Sequence, residues 1–393
     1  MIELLTDEAK QFINQNIQAD VATLALKTHR TTVPMGFLLN QIQCRQKLKE
    51  KLPLWYANDA LVYPFKLAVE QCSSSLTADY KAGLLNGEKI VDITGGLGVD
   101  AMAFTNAFEE VVHVERNSEL SECVAHNARL LTKNKLTCIC QDGINYVSEE
   151  IDTIDCIYID PARRDQVDQR VFRFQDCDPN VLLYQDLFFQ KAKQVLIKAS
   201  PLIDIKQSLK ELKNVREVHV VSVKNDCKEV LFLLEKGCNE QPIIKAIDLP
   251  KKGIFSFTYE EETTAKVVID TVEKFIYLPH VALTKAAPFK LIAARFALKK
   301  VHRNTHVYTS SEKVIGFPGR TFELIDVVNY STKVVRKLGI KQANLITRNF
   351  IDTTAAMRKK LGLKDGGDYF LIGITNKEGF SEILITKKII DQP

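Results

Sequence analysis

The stretch Lys89–Ala101, KIVDITGGLGVDA, limits what this chain can become more than any other part of it. Its first half is an apolar, β-branched run, Lys89–Thr94, that reads as a short buried strand. Gly95, Gly96 and Gly98 then demand a tight turn, and a helical pattern opens at Val99. Glycine there supplies positive φ and lets a ligand approach the backbone closely. The helix start directs free N–H groups at whatever binds. Asp92 closes the strand beside the turn. In that order these parts place a nucleotide-type small-molecule site at the carboxyl edge of an open parallel sheet.

The rest of the chain bounds the setting. At 393 residues it is too long for one ordinary domain. No apolar run approaches the roughly 20 residues needed to span a bilayer. The opening residues, MIELLTDEAKQFINQN, carry early acids and no long apolar stretch, unlike a signal peptide. Nine cysteines with no C-x-x-C pair point to reduced thiols and a cytoplasmic protein. Cys156 and Cys227 read as small buried hydrophobes rather than nucleophiles, since neither stands in a Pro-Cys context at a strand tip. Seven histidines show no metal spacing, so no metal is expected. The net charge of +4 is mild, so any basic face must be local.

Residues 1–80 read as helical, with Thr6-Asp7-Glu8 capping a first helix, further patterns over Gln41–Lys51 and Phe65–Gln71, and Pro34, Pro53 and Pro64 as breaks. Trp55, Tyr56 and Tyr63 are expected to dock this region onto the next domain. From Lys89 strands and helices alternate. Strands are expected at Lys89–Thr94, Glu110–Glu115, Leu136–Cys140, Asp155–Asp160 and Gln194–Ala199; helices at Val99–Ala107, Ser118–Thr132, Ile144–Glu149, Asn180–Lys193 and Ile203–Leu212. Glu217–Val223 and Glu229–Glu235 come next without a helix between them, which makes one of them antiparallel. Beyond Gly237 the pattern predicts a hairpin over Ile243–Leu249 and Gly253–Tyr259, a helix within Leu278–Lys300 and a strand over Val301–Ser310. Pro318-Gly319 then marks a boundary before a last alternating segment: strands Phe322–Val328, Gln342–Thr347, Tyr369–Thr375 and Ser381–Lys387, helices Thr332–Lys337 and Thr353–Leu361. The expected division is 1–80 helical, 81–240 a doubly wound α/β domain, and 241–320 and 321–393 two small α+β domains.

Gly96-x-Gly98-x-x-Ala101, with Glu115 ending the next strand as an acidic ribose partner should, suits a nicotinamide dinucleotide or S-adenosylmethionine (SAM) equally. Three features favour SAM. Asp92 beside the turn repels a pyrophosphate and attracts the ammonium and sulfonium of SAM. The closing hairpin suits a sheet whose last strand inserts antiparallel. Asp160-Pro161, ending strand four, places a carboxylate and a carbonyl where they can accept hydrogen bonds from an amino group and aim its lone pair at a methyl donor.

Asp92–Asp100, Glu115, Asp142-Gly143 and Asp160–Arg163 together resemble the successive motifs of class I SAM-dependent methyltransferases. That resemblance implies a Rossmann-like α/β fold, a seven-stranded sheet with an antiparallel last strand. It implies a cofactor site of Asp92, Thr94, Gly95, Gly96, Gly98, Asp100, Glu115, Arg116, Asp142, Gly143 and Asp160. Asp92 and the glycines would line the methionine end, Glu115 the ribose, Asp142 the adenine. Asp160, Pro161 and Arg163 would be catalytic. Amino-methylating nucleic-acid enzymes carry Asp-Pro-Pro-Tyr here; this chain has Asp-Pro-Ala-Arg, lacks the stacking aromatic, and offers Arg163 or Arg164 as a planar cation or phosphate contact instead.

Gln71–Ser74, Tyr80-Lys81, Thr284–Ala286, Phe289-Lys290, Tyr308–Ser310, Pro318–Arg320 and Arg348–Phe350 resemble a narrower bacterial family over nearly the whole chain. It joins a methyltransferase core to a ferredoxin-like segment and a C-terminal THUMP-like domain; THUMP domains bind transfer RNA ends. In that setting Gln71–Ser74 forms either a lid near SAM or a serine-capped helix end. Lys285, Lys290, Tyr308, Arg320 and Arg348 would bind RNA. Basic residues with interleaved aromatics across Lys285–Arg303 and Lys333–Lys341 suit phosphate tracking and base stacking. Lys198, at the end of strand five, reads as a lysine reaching out to solvent. The expectation is a cytoplasmic SAM-dependent RNA methyltransferase that methylates a base nitrogen of transfer RNA. Two alternatives stay open: a methyltransferase for a protein or small molecule, and a non-catalytic RNA-binding protein.

Overall fold

The computed structural model describes residues 1–27, 31–132, 135–163, 173–250, 253–332 and 339–389. The expected helix Thr332–Lys337 and the basic residues Arg164, Lys333, Arg336 and Lys337 fall at or beyond those limits. The chain forms two compact units, 1–218 with 229–241, and 219–228 with 242–393.

In the first unit the leading region is helical: α1 (Asp7–Gln15), α2 (Val21–Ala25), α3 (Met35–Lys51), α4 (Pro53–Ala57), α5 (Lys66–Gln71) and α6 (Ser75–Ala82). Thr6 caps α1 by accepting from the Ala9 N–H, and prolines stand at the starts of α3 and α4, where no backbone donor is needed. Trp55 and Tyr63 are buried, and the segment after α4 is held at residue 62 by the side chain of Asn127, which accepts from Val62 N at 3.0 Å and donates to its carbonyl at 2.9 Å.

The glycine-turn stretch opens with β1 (Gly87–Asp92), buried over its last four residues as a strand inside a parallel sheet should be. After it come α7 (Val99–Phe104), β2 (Phe108–Val114), α8 (Ser118–Leu131), β3 (Leu136–Ile139), α9 (Gly143–Glu149) and β4 (Ile154–Ile159). Next are the short β5 (Ala162–Arg163) and β6 (Cys177–Asp178), then α10 (Val181–Lys191), β7 (Ala192–Ala199), α11 (Ile205–Glu211), β8 (Val215–Val223) and β9 (Asp226–Glu235). The strand order is β3-β2-β1-β4-β7-β9-β8. β1 pairs in parallel with β2 and β4, and β4 with β7, whereas β9 runs antiparallel to β7. The last strand is thus inserted, as the missing helix after Val223 predicts. The order reverses between β1 and β4, so the crevice of an α/β sheet opens there. α7 ends at Phe104, three residues short of expectation, because Thr105 folds its hydroxyl onto the Met102 carbonyl.

The second unit takes the tip of the β8–β9 hairpin and continues it with β10 (Ile243–Leu249) and β11 (Ile254–Phe257). It then holds α12 (Tyr259–Thr264), β12 (Phe275–Pro279), α13 (Val281–Ala286), α14 (Phe289–Arg295), β13 (Lys299–Lys300), β14 (Tyr308–Ser310), β15 (Gly319–Asn329), β16 (Asn344–Arg348), the helix Thr354–Leu361, β17 (Tyr369–Thr375) and β18 (Ser381–Lys388). One sheet joins them in the order β13-β14-β12-β15-β18-β17-β16. Where one helix was expected over Leu278–Lys300, two short ones stand: Ala287 turns left-handed at φ +65 immediately before Pro288 and stops the first. Of the expected strand Val301–Ser310 only Tyr308–Ser310 is extended, as β14. Before it the chain drops Val301 and Val307 into a core with Ile276, Phe322, Ile346 and Ile372.

Candidate active site

The glycine turn and three strand ends come together at the reversal of strand order. Asp92, ending β1, is 2% exposed and accepts from the Thr94 N–H at 3.0 Å. Burial pushes its carboxyl well above the usual carboxylate range. The Thr94 hydroxyl accepts from Asp160 N at 2.7 Å, so this side chain ties the ends of β1 and β4 together. Glu115, just after β2, accepts from Gly96 N at 2.9 Å and from Asn117 N at 2.8 Å, fixing the turn against the next strand. The glycines are sterically required. A Cβ on Gly95 would lie 2.4 Å from Nε2 of the buried His113; one on Gly98, at φ +75, would lie 2.6 Å from Val124 Cγ1. A Cβ on Gly143 would meet the Ile93 carbonyl oxygen at 2.1 Å.

A buried polar network lies beside this turn, most of it missed in the sequence. Asp100, in α7, accepts from the Tyr158 hydroxyl and the Ser73 hydroxyl, each at 2.8 Å. Lys81 of α6, fully buried, stands 3.2 Å from Asp100 Oδ1, donates to Ser73 Oγ at 3.0 Å, and holds both oxygens of Glu229 at 3.0 and 2.8 Å. Burial opposes ionisation of Asp100, but Lys81, Lys198 and the two hydroxyls outweigh it and lower its pKa. For Glu229 burial wins and the pKa rises. Lys198, expected to reach solvent, instead donates to Asp160 Oδ2 at 2.5 Å. Burial disfavours its charge, yet Asp160, Asp100 and Glu229 overcome this and raise its pKa. Signals were present: Lys198 interrupts an apolar strand, and Lys81 lies between residues that a helix turns inward. Ser74 with Thr77 forms a capping box for α6, so of the two readings of Gln71–Ser74 the capped helix end is present, while Ser73 turns inward.

Other expected residues are placed differently. Asp142 is exposed and caps α9 by accepting from Ile144 N and Asn145 N, each at 3.0 Å; Arg116 is exposed and pairs with Asp178 at 2.8 Å. Pro161 is buried; Arg163 is placed by its backbone alone, in β5 paired with Cys177 of β6. Cys156 is buried in β4 and burial raises its thiol pKa, which suits a core residue.

In the second unit the anticipated basic stripe is corrected. Tyr308 is fully buried with its hydroxyl on the Phe289 carbonyl at 2.9 Å, so its ring offers no face to a base. Arg295 pairs with Glu261 at 2.9 Å, and Lys299 with Glu273 at 2.8 Å and Asp270 at 3.2 Å. Lys290 caps the Thr263 carbonyl at 2.5 Å, and Lys285 is half-buried on α13. Arg320 and Arg348 are half-buried and meet no carboxylate among the described residues.

The strand order, the inserted antiparallel strand and the glycine turn define a class I methyltransferase domain. Residues 87–236 match the family described as RNA cap guanine-N2 methyltransferase, 275–318 a ferredoxin-like domain and 319–388 a domain described as THUMP domain-like. A crystal structure from Porphyromonas gingivalis, described as a "putative methyltransferase", is 32% identical with a TM-score of 0.89, over 99% of this chain and 98% of that one. The chain belongs to the same family as the Porphyromonas gingivalis protein, and it is a SAM-dependent methyltransferase. TrmK of M. capricolum in complex with S-adenosylhomocysteine is also similar, at 15% identity and a TM-score of 0.32, over 42% of this chain and 69% of that one. No curated protein matches the chain.

The residues present fit SAM. Asp92 is held off ionisation by burial and by Asp100 and Asp160, while Asp100 and Glu229 share Lys81 and Lys198, so a bound cation beside Asp92 would restore its charge. Such a site suits a guest bearing an ammonium and a sulfonium and repels a pyrophosphate. The turn leaves room as well: a Cβ added at Gly96 would have only the Thr94 carbonyl within reach, at 3.7 Å.

Proposed function

We propose that this methyltransferase acts on RNA, with transfer RNA as the substrate class, at a base nitrogen, in the cytoplasm. SAM, when bound, supplies the methyl group as an electrophile. The chain's own residues then need to bind, orient and exclude water. Asp92, Thr94, Gly95, Gly96, Gly98 and Asp100 would hold the methionine end, with Arg116, Asp142 and Gly143 toward the nucleoside. Glu115 would accept from the ribose hydroxyls with the lone pairs left over by Gly96 and Asn117. The division into 1–80, 81–240, 241–320 and 321–393 is kept as part of this reading.

One observation carries the catalytic assignment: the Asp160 main chain is anchored by Thr94 while Lys198 takes only Oδ2 of its carboxylate. The other oxygen, with the Pro161 carbonyl, would accept from an amino group and orient its lone pair. Arg163 would steady a neighbouring phosphate or ring. RNA as the substrate is supported by the descriptions of the matched families and by Arg320 and Arg348, which meet no carboxylate among the described residues.

Mass spectrometry of transfer-RNA nucleosides from cells lacking the protein tests this: one missing methylated species is expected, and an unchanged set counts against transfer RNA. Filter binding through a salt titration separates an RNA enzyme from one acting on a protein or small molecule, because phosphate contacts weaken as salt rises.

A further inference from the structure

Gly96 is held at both of its backbone polar groups by side chains from one edge of the site. Its N–H donates to the Glu115 carboxylate at 2.9 Å, and its carbonyl accepts from Nε2 of His113 at 3.3 Å. His113 lies in β2, level with Asp92 of β1 in the parallel ladder, and Glu115 follows it by two residues, so strand alternation brings both side chains to the turn. Gly95 is tied to the same strand, its N–H donating to the Val114 carbonyl at 3.0 Å. The imidazole also packs against the turn: a Cβ on Gly95 would lie 2.4 Å from its Nε2, and one on Gly98 3.6 Å from its Cδ2.

The state of the ring follows from its surroundings. A carbonyl can only accept, so Nε2 carries the proton. Nδ1 is buried with no hydrogen-bond partner among the described residues. A second proton there would be a buried donor without an acceptor. Burial lowers the pKa of the imidazole, against the pull of Glu115 and of the Gly96 and Gly95 carbonyls, so the ring stays neutral at neutral pH. The Gly98 N–H is engaged as well, on the Gly95 carbonyl at 3.1 Å. None of the three glycines therefore has an amide N–H to spare for a guest, whereas a pyrophosphate needs such donors.

We propose that His113 is a positioning residue for SAM: its neutral imidazole, donating Nε2–H to the Gly96 carbonyl, locks the glycine turn in its cofactor-binding form. His113 touches no reacting atom. It acts through Gly96, whose outer side is open, since a Cβ there would meet only the Thr94 carbonyl at 3.7 Å. Gly96 stands at φ +56, and without the imidazole only Glu115 among side chains would hold it there. The inference rests on placing the methionine end of SAM at this turn, and not on RNA as the substrate.

The test uses the full chain, calorimetry with SAM, and a nitrogen NMR spectrum of histidine-labelled protein. His113→Gln keeps a donor near the place of Nε2; His113→Leu fills similar space without one. SAM affinity is expected to fall about tenfold in His113→Leu and no more than about threefold in His113→Gln. A packing role alone predicts the reverse order, because burying a leucine costs less than burying an amide. That reverse order, or equal affinity in the two variants, overturns the proposal. The wild-type spectrum, with the His113 signal assigned by its loss in His113→Gln, is expected to show the Nε2–H tautomer. An Nδ1–H tautomer or an imidazolium at neutral pH overturns the proposal even if neither variant folds. Asp92→Asn separates the two readings. Weaker SAM binding there, with wild-type affinity in His113→Leu, removes His113 alone; wild-type affinity in both removes the turn from the cofactor site and the proposal with it.

Discussion

Lys198, from the end of β7, holds the carboxylate of Asp160, from the end of β4, at 2.5 Å. The side chain of Lys198 is 14% exposed and that of Asp160 38%. The charge is therefore sheltered on one side and open on the other, which is where an acceptor would approach. Removing the carboxylate leaves an ammonium with less compensation. Asp160→Ala is expected to cut turnover strongly while SAM affinity, measured by calorimetry, is largely kept. Lys198→Met should lower stability by about 1–3 kcal/mol by leaving Asp160 half-sheltered and unpaired. Equal loss of turnover and SAM affinity in Asp160→Ala would contradict the division of roles between Asp160 and Asp92.

Asp92 offers a pH signature. Its folded-state pKa is raised by burial, so between the ordinary carboxylate range and the raised value the folded chain binds more protons than the unfolded one. Stability must fall as pH rises through that window. Asp92→Asn keeps an acceptor for the Thr94 N–H and loses the titration. It is expected to be more stable than wild type at neutral pH, with a flatter pH profile, yet to bind SAM at least about tenfold more weakly. Thermal unfolding across pH with SAM calorimetry checks both halves, and undiminished SAM affinity removes Asp92 from the site.

Lys81 tests whether the buried network is a unit. Lys81→Met leaves Asp100 and Glu229 facing one another without their shared cation and should cost about 3–5 kcal/mol in urea unfolding. Adding Glu229→Gln should restore part of that loss, because the two residues are in direct contact. Additive losses would show that Lys81 and Glu229 act independently.

Gly143 reads the closeness of the chain around the turn. Gly143→Ala would drive a methyl against the Ile93 carbonyl, which is main chain and cannot swing aside. A loss of about 2–3 kcal/mol and of SAM binding is expected. Gly237→Ala, at φ +81 with open space around it, should cost about 1 kcal/mol and leave SAM binding unchanged.

Legibility along the chain tracked how local each cause was. The β1 stretch was readable because β-branched residues, three glycines and a helix pattern succeed one another within thirteen positions. The inserted β9 was readable because nothing helical separates it from β8. Asp142, expected beside an adenine, caps α9 with one oxygen, a local role that sequence spacing did not signal and that leaves its other oxygen open. The region Leu278–Lys300 failed because one alanine at positive φ before a proline splits a helical pattern that otherwise looks continuous. Lys81, Ser73, Tyr158 and Glu229 were largely invisible as a set: they come from distant positions, and only the packing of α6, α7, β4 and β9 assembles them. The basic stripe misled in part because charge counts ignore partners: Arg295 and Lys299 had Glu261, Glu273 and Asp270 waiting in α12 and before β12.

The β8–β9 hairpin has its base in one compact unit and its tip, 219–228, in the other. At the tip, Ser222 Oγ donates to Asp248 at 2.7 Å, Asn225 N donates to the same carboxylate at 2.9 Å, and the Asn225 side chain accepts from Val281 N at 3.0 Å. A protein engineer who trims the gene after codon 240 therefore strands those donors and acceptors in water and bares a sheet edge. Dissection by simple truncation should therefore yield aggregates rather than a working half.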